Sequence, residues 1–167
     1  VIGDLFWKIQ RAKARISWHL SDLCAPLSPR NKVLAALVLI EGQSDAIPNL
    51  FSADISHSAR PLDIAETDLV AALADRDLNA SAMADHVVYE WPEWLMEDTK
   101  AGLGNELARE LGAMLIEAPI DIRINLLKLS DRRKLRDKLA GRGIKGHPTR
   151  LSPLGVRLEK PVSYTHL

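Results

Sequence analysis

Pro119-Ile120-Asp121-Ile122-Arg123-Ile124-Asn125-Leu126-Leu127-Lys128 decides how this chain is read, because here the apolar period changes from three-and-four to two. Ile120, Ile122, Ile124 and Leu126 alternate with Asp121, Arg123, Asn125 and Leu127, the pattern of a half-buried strand. On such a strand Arg123 and Asn125 share the face opposite the isoleucines. Downstream, residues 131 to about 142 read as a basic helix capped by Ser130. Residues 149–152 and 156–159 read as short strands around the turn at Pro153-Leu154-Gly155. Upstream the pattern is helical throughout, so the fold class expected is α+β: helices first, then a strand–helix–strand–strand unit.

Working back toward the N-terminus, Leu5, Ile9, Ala12, Ile16 and Leu20 stand at spacings of three and four, which predicts one amphipathic helix over residues 2–23. Ser28 followed by Pro29 reads as an N-cap and first-turn proline, opening a helix from Arg30 to Glu41 that stops at Gly42. Its apolar run from Val33 to Ile40 should be the most deeply buried part. A short helix from Ser44 or Asp45 to Phe51 follows, then a loop over residues 52–61. Asp63 with Glu66 three residues on has the capping-box pattern for a helix reaching Ala74. Pro92 opens another helix, Gly102 and Gly104 interrupt it, and a further one runs from Asn105 to about Glu117.

The chain has 167 residues, 47% of them hydrophobic, enough for one or two small cores and too many for a disordered segment. The single cysteine, Cys24, excludes a disulfide framework and a cysteine-built zinc site, and fits a cytoplasmic location. No stretch approaches the ~18 apolar residues of a membrane span. Val1 replaces an initiator methionine and no signal-peptide layout follows, so the N-terminus reads as cut.

Net charge is zero, yet it is unevenly spread. Residues 1–80 carry 8 Lys/Arg against 10 Asp/Glu, residues 81–118 carry 2 against 8, and residues 119–167 carry 12 against 4. The basic last part suits a polyanion, although a merely solvated helix face would look the same. Within it Arg132, Arg133, Lys134, Arg136, Lys138, Arg142, Lys145, Arg150 and Arg157 are dense enough to contact several phosphates, Arg132, Arg133, Lys134, Arg136 and Arg150 foremost, and such contacts give affinity and register without reading sequence. Arg123, Asn125 and Lys128 are the sharper candidates, since a guanidinium fork and an amide on one strand face can address backbone or base edges. The same pair could instead tie the strand to a neighbouring domain.

Other features read as structural. Gly141-Arg142-Gly143-Ile144-Lys145-Gly146 fits G-x-G-x-x-G, but a helix precedes it and His147-Pro148 follows, the wrong order for a dinucleotide site. The five histidines lack ligand spacing, so no metal is expected. Trp7, Trp18, Trp91 and Trp94 read as packing residues rather than base-stacking platforms, and Glu90, Glu93, Glu97 and Asp98 as a solvated acidic face. Cys24 reads as a small buried filler.

In combination the motifs resemble a known family, the bacterial ribosomal-RNA cytosine-5 methyltransferases of the RsmB/Sun and NOP type. The resemblance lies in Trp91-Pro92-Glu93-Trp94-Leu95, Gly104-Asn105-Glu106-Leu107, the Pro119–Lys128 stretch, the basic helix and Pro153-Leu154-Gly155-Val156-Arg157-Leu158, in this order. It implies a NusB-like all-α domain over residues 1–80, entered partway, and a small α/β RNA-binding domain over 81–161. It also implies a Rossmann-type methyltransferase domain, which is absent here.

That absence has a chemical side. Methyl transfer from S-adenosylmethionine to a cytosine ring carbon needs a nucleophile and a glycine-rich cofactor turn, and the family's cysteines for this lie in its catalytic domain. Cys24 sits in none of those contexts, so no catalytic or cofactor residue is expected in this chain, whose enzymatic status is left open. The ending Val162-Ser163-Tyr164-Thr165-His166-Leu167 departs from the family and resembles a translated sequencing adapter.

The expected function is therefore the RNA-positioning part of such an enzyme. Its partners would be ribosomal RNA and the missing catalytic domain in cis, with no membrane and no metal. Two other readings compete: a free-standing NusB-like RNA-binding module, against which the −2 charge of residues 1–80 argues, and a protein-interaction helix bundle, which the acidic 81–118 stretch favours.

Overall fold

The computed structural model describes residues 2–54, 56 and 58–159. The chain divides into two compact units, Val1–Leu115 and Ile116–Leu167. Among the described residues the first unit contains all but one of the helices and the second holds the sheet, an α+β composition. The expected division at 80/81 falls inside the first unit.

That unit opens with α1 (Ile2–Arg11) and α2 (Lys13–Asp22) in place of the single helix the spacing predicts. The cause of the break at Ala12 lies at Glu90, 76 residues beyond Ala14, whose N–H it accepts. Its carboxylate accepts the backbone N–H groups of Ala14 at 2.7 Å and Arg15 at 3.0 Å, while the Arg15 guanidinium donates to the Arg11 carbonyl at 3.0 Å. A side chain has entered the helical ladder, and the helix restarts with a tertiary cap. Arg15 itself is buried, its Nε 3.1 Å from Glu90 and its Nη1 3.0 Å from Asn79 Oδ1. Glu90 therefore does not belong to the solvated acidic face, although Glu93, Glu97 and Asp98 do.

Glu90 reaches α2 because of its backbone. It follows α6 (Asp85–Val88) with φ +52°, and the Trp91 N–H bonds back to the His86 carbonyl across it, the left-handed ending of a Schellman motif. Cys24 holds the same position after α2, also at φ +52°, with Ala25 N–H bonded to Leu20 O. The cysteine is exposed, not a buried filler, because this turn points its side chain outward. Cys24→Gly should raise the urea midpoint of this unit by the equivalent of about 0.5 kcal/mol. That is the left-handed penalty of ~1–2 kcal/mol less the entropy glycine adds to the unfolded chain.

α3 (Pro29–Leu39) starts as its sequence predicts, Ser28 Oγ accepting from Asn31 N–H. Leu34, Ala35, Ala36, Leu37 and Val38 are buried with Ile16, Leu20, Ile47, Phe51, Leu69 and Leu73, the core of the unit. A 3₁₀ turn, Ser44–Ala46, leads into α4 (Ile47–Leu50). α5 (Ile64–Ala74) carries both halves of the capping box between Asp63 and Glu66. Near the end of the unit, α7 (Met96–Leu103) and α8 (Leu107–Leu115) are each entered through a 3₁₀ turn and pack on one another.

Glu66 also joins three segments. It is buried and accepts from Arg30 at 2.7 and 3.1 Å, from Arg60 at 2.9 Å and from Asp63 N–H at 3.1 Å, while Arg30 lies 4.8 Å above the Phe51 ring. The Arg30 hydrogen bonds, aided by the Asp63 N–H and the Arg60 charge, outweigh desolvation and hold its carboxyl below the ordinary value of 4.5. Because the folded value is the lower one, the stabilisation is full above that pH and is lost as pH falls through it toward the folded value. Urea midpoints at about pH 6 and about pH 3 should differ more for the native chain than for Glu66→Gln.

Tryptophan placement is mixed. Trp91 donates to Thr99 Oγ1 at 2.9 Å and Trp18 meets His19 edge-on, whereas Trp7 is exposed with an edge-on contact to Phe6 and Trp94 is 80% exposed.

The second unit is a three-stranded antiparallel sheet in the order β1 (Asp121–Arg123), β3 (Gly155–Leu158), β2 (Gly146–Pro148), with α9 (Arg132–Ala140) against β2 and β3. Asp121 pairs with Arg157, Ile122 with Val156, His147 with Arg157 and Pro148 with Val156. Leu139, Val156 and Leu158 form its small core, with Ile120, Ile122, Leu135 and Ile144 around them. Asp131, not Ser130, is the N-cap of α9, accepting from Lys134 N–H at 3.0 Å.

Two strand expectations shift. The pairing segment before β3 is residues 146–148, not 149–152, since at Gly146 a Cβ would lie 2.8 Å from Val156 Cγ1 and the missing side chain lets the strands close. β1 stops at Arg123, and Asn125 turns the chain: its Oδ1 accepts from Leu127 N–H at 3.0 Å and its carbonyl from Lys128 and Leu129. This Asx-turn ends the alternation, so Leu126 and Leu127 are exposed and Asn125 lies in a turn beside Arg123 rather than on a continued strand.

Candidate nucleic-acid interface

Strand alternation sorts the second unit into two sides. Ile122, Val156 and Leu158 point to α9, so Asp121, Arg123, Arg157 and His147 occupy the opposite face. There Arg157 grips Asp121 with two parallel bonds, Nε to Oδ1 at 2.7 Å and Nη2 to Oδ2 at 2.8 Å. The pairing lowers the Asp121 carboxyl and raises the Arg157 guanidinium relative to their ordinary values. His147 Nε2 lies 2.8 Å from Glu159.

This row lines a groove of about 580 Å³ that Arg150 also borders. Its lining includes Gly155, where an added Cβ would collide with the Thr149 side chain, and Thr149, whose hydroxyl donates to Ser152 O at 3.0 Å. The glycine allows the loop 149–152 to lie directly on β3.

The expected phosphate-contacting residues separate into three groups. Arg123 and Arg150 flank the groove, both exposed. Arg132 and Arg136 serve the fold: Arg132 donates to Ser152 O at 3.0 Å and Arg136 to Gly146 O at 3.1 Å, tying α9 to the strand ends. Arg133 and Lys134 are exposed on α9, while Asn125 and Lys128 lie in the turn after β1. Arg132 therefore reaches residues that line the groove, whereas Arg133 and Lys134 stay on a helix packed against the sheet face opposite Arg123 and Arg157. Sequence reasoning missed His147 and Thr149 as groove residues and ranked Arg157 only within a general basic set. Their common face becomes visible once the β2–β3 register is known.

Gly141-x-Gly143-x-x-Gly146 joins α9 to β2. Gly143, at φ +75°, closes the helix and Gly146 belongs to the strand, the reverse of the strand-to-helix order that cradles a cofactor phosphate. Among the described residues no group of three or more His, Cys, Asp or Glu is placed to hold a metal ion, and no helix is long and apolar enough to cross a membrane.

Residues 91–165 match the family described as Methyltr_RsmF/B-like, ferredoxin-like domain. The match takes in α7, α8 and the whole β1–α9–β2–β3 unit, so the basic groove lies inside it. It supports the RsmB/Sun-type resemblance over a little less than half of the chain, and relates this part to the rRNA methyltransferases. No curated protein matches the chain.

Proposed function

We propose that this chain is the RNA-positioning part of an S-adenosylmethionine-dependent ribosomal-RNA cytosine-5 methyltransferase, acting in the cytoplasm beside a separate catalytic domain. The observation that carries this reading is the coincidence of the RsmF/B-like ferredoxin-like match with the basic third of the sequence and its exposed arginine groove. α1 to α5 around one core support a NusB-like helical domain ahead of it. Methyl transfer and cofactor binding fall to the catalytic domain; the residues of this chain are assigned binding and orientation only. Phosphate contacts supply the affinity, so retention must fall with salt.

Filter binding of ribosomal RNA at two salt concentrations tests this. Binding that weakens as salt rises, and that disappears when residues 119–160 are deleted while circular dichroism still reports the helices of the first unit, is the expected result. Salt-independent retention, or retention unchanged by the deletion, would overturn it.

A further inference from the structure

Two cationic surfaces of the second unit compete for the same polyanion. On α9 the remaining exposed charges, Arg133, Lys134 and Lys138, stand on a convex helix interspersed with Asp131 and Asp137. On the far side of the sheet the charges converge. No hydrogen bond or ion pair among the described residues holds the Arg123 or Arg150 guanidinium, and both border the groove. Arg157 has its Nε and Nη2 engaged by Asp121, leaving Nη1 with two donors in a fixed direction.

Arg123 borders a second hollow of about 420 Å³, lined by Ile124, Asn125, Leu126, Leu127 and Leu154. Four of its side chains are aliphatic, Leu127 being 97% exposed, while polar atoms make up about as much of its surface as apolar ones. Beside Arg123 it carries the Asn125 amide, whose oxygen is used by the Leu127 N–H and whose Nδ2 remains a donor. A cationic groove sharing an arginine with a hollow of aliphatic side chains and an amide is complementary to a nucleotide whose base is out of a stack. A duplex keeps its bases inside and could offer this face only phosphates.

Resting on the RNA reading above, we propose that this face holds an unpaired RNA nucleotide. Arg123 and Arg150 take flanking phosphates, Arg157 donates from Nη1, and the base lies on Leu126 and Leu127 with Asn125 at its edge. The imidazole of His147 lies in the groove and no ring lines the second hollow, so the base is held there by aliphatic contact and the amide, with little sequence preference.

The test is fluorescence anisotropy on the full chain with a single-stranded RNA and a duplex of equal length, at several salt concentrations. Single-stranded RNA should bind at least about fivefold more tightly. Arg123→Gln with Arg150→Gln should weaken it about tenfold and reduce the salt slope by about 1.4, two phosphates at ~0.7 each for a single strand. Arg133→Gln with Lys134→Gln, which removes the same charge from α9, should weaken it less than about twofold. Leu127→Ser, at a position too exposed to matter for folding, should narrow the preference for the single strand. Equal losses from the two arginine and lysine pairs, or duplex binding as tight as single-strand binding, would overturn the nucleotide site while leaving the RNA reading intact. Failure of every RNA to bind would overturn both.

Discussion

Glu90→Ala should lower the stability of the first unit by about 3 kcal/mol, the scale of a buried ion pair deprived of one partner. Three interactions end together: the two backbone N–H groups at the start of α2 lose their acceptor, and Arg15 keeps its burial without its carboxylate. For a unit of this size the thermal midpoint should drop by roughly 10 °C or more. Glu90→Gln retains an acceptor oxygen and should recover part of the loss, whereas Glu93→Ala, on the solvated face, should change little. Urea unfolding followed by tryptophan fluorescence distinguishes them. If Glu90→Ala and Glu93→Ala unfold alike, the cap has no energetic role.

Leu139→Ala should unfold the second unit. A buried leucine truncated to alanine costs ~2–5 kcal/mol, and in a unit of this size, whose buried apolar residues are Ile124, Leu139, Val156 and Leu158, that is comparable to the whole stability available. Leu139 is also the contact through which α9 covers the sheet, so its loss separates the helix from β2 and β3. Hydrogen exchange should report fast-exchanging amides across residues 121–158 and protected ones in α2, α3 and α5. RNA retention should fall with the groove. Protected β3 amides in Leu139→Ala would refute this account of the core.

Local signals were legible where the cause was local. Ser28 before Pro29 and Asp63 before Glu66 cap α3 and α5 as their spacing predicts, because each cap closes over three residues. The alternation at Ile120–Ile124 marks β1 and its buried side for the same reason. What escaped had distant or competing causes. Nothing near Ala12 signals a break, since the carboxylate that splits the helix arrives with residue 90. Asn125 fits the alternating pattern but prefers its own turn, and Gly146, a poor strand former, pairs because a side chain would obstruct Val156. The candidate site was legible as a set of charges but not as a surface. Arg132 and Arg136 look the same in sequence as Arg123 and Arg150, yet only the latter pair lacks a carbonyl to hold.

The link between Glu90 and the start of α2 also sets an order of events during synthesis. The N-terminal helices leave the ribosome long before residue 90 exists, so α2 must wait with two amides bonded only to water, and its final first turn forms when the Asp85–Glu90 segment folds back. A shortened version ending at residue 80 would keep most of the helical core while leaving that turn permanently open, frayed at its first residues and prone to recruit some other carboxylate in place of the one it lost.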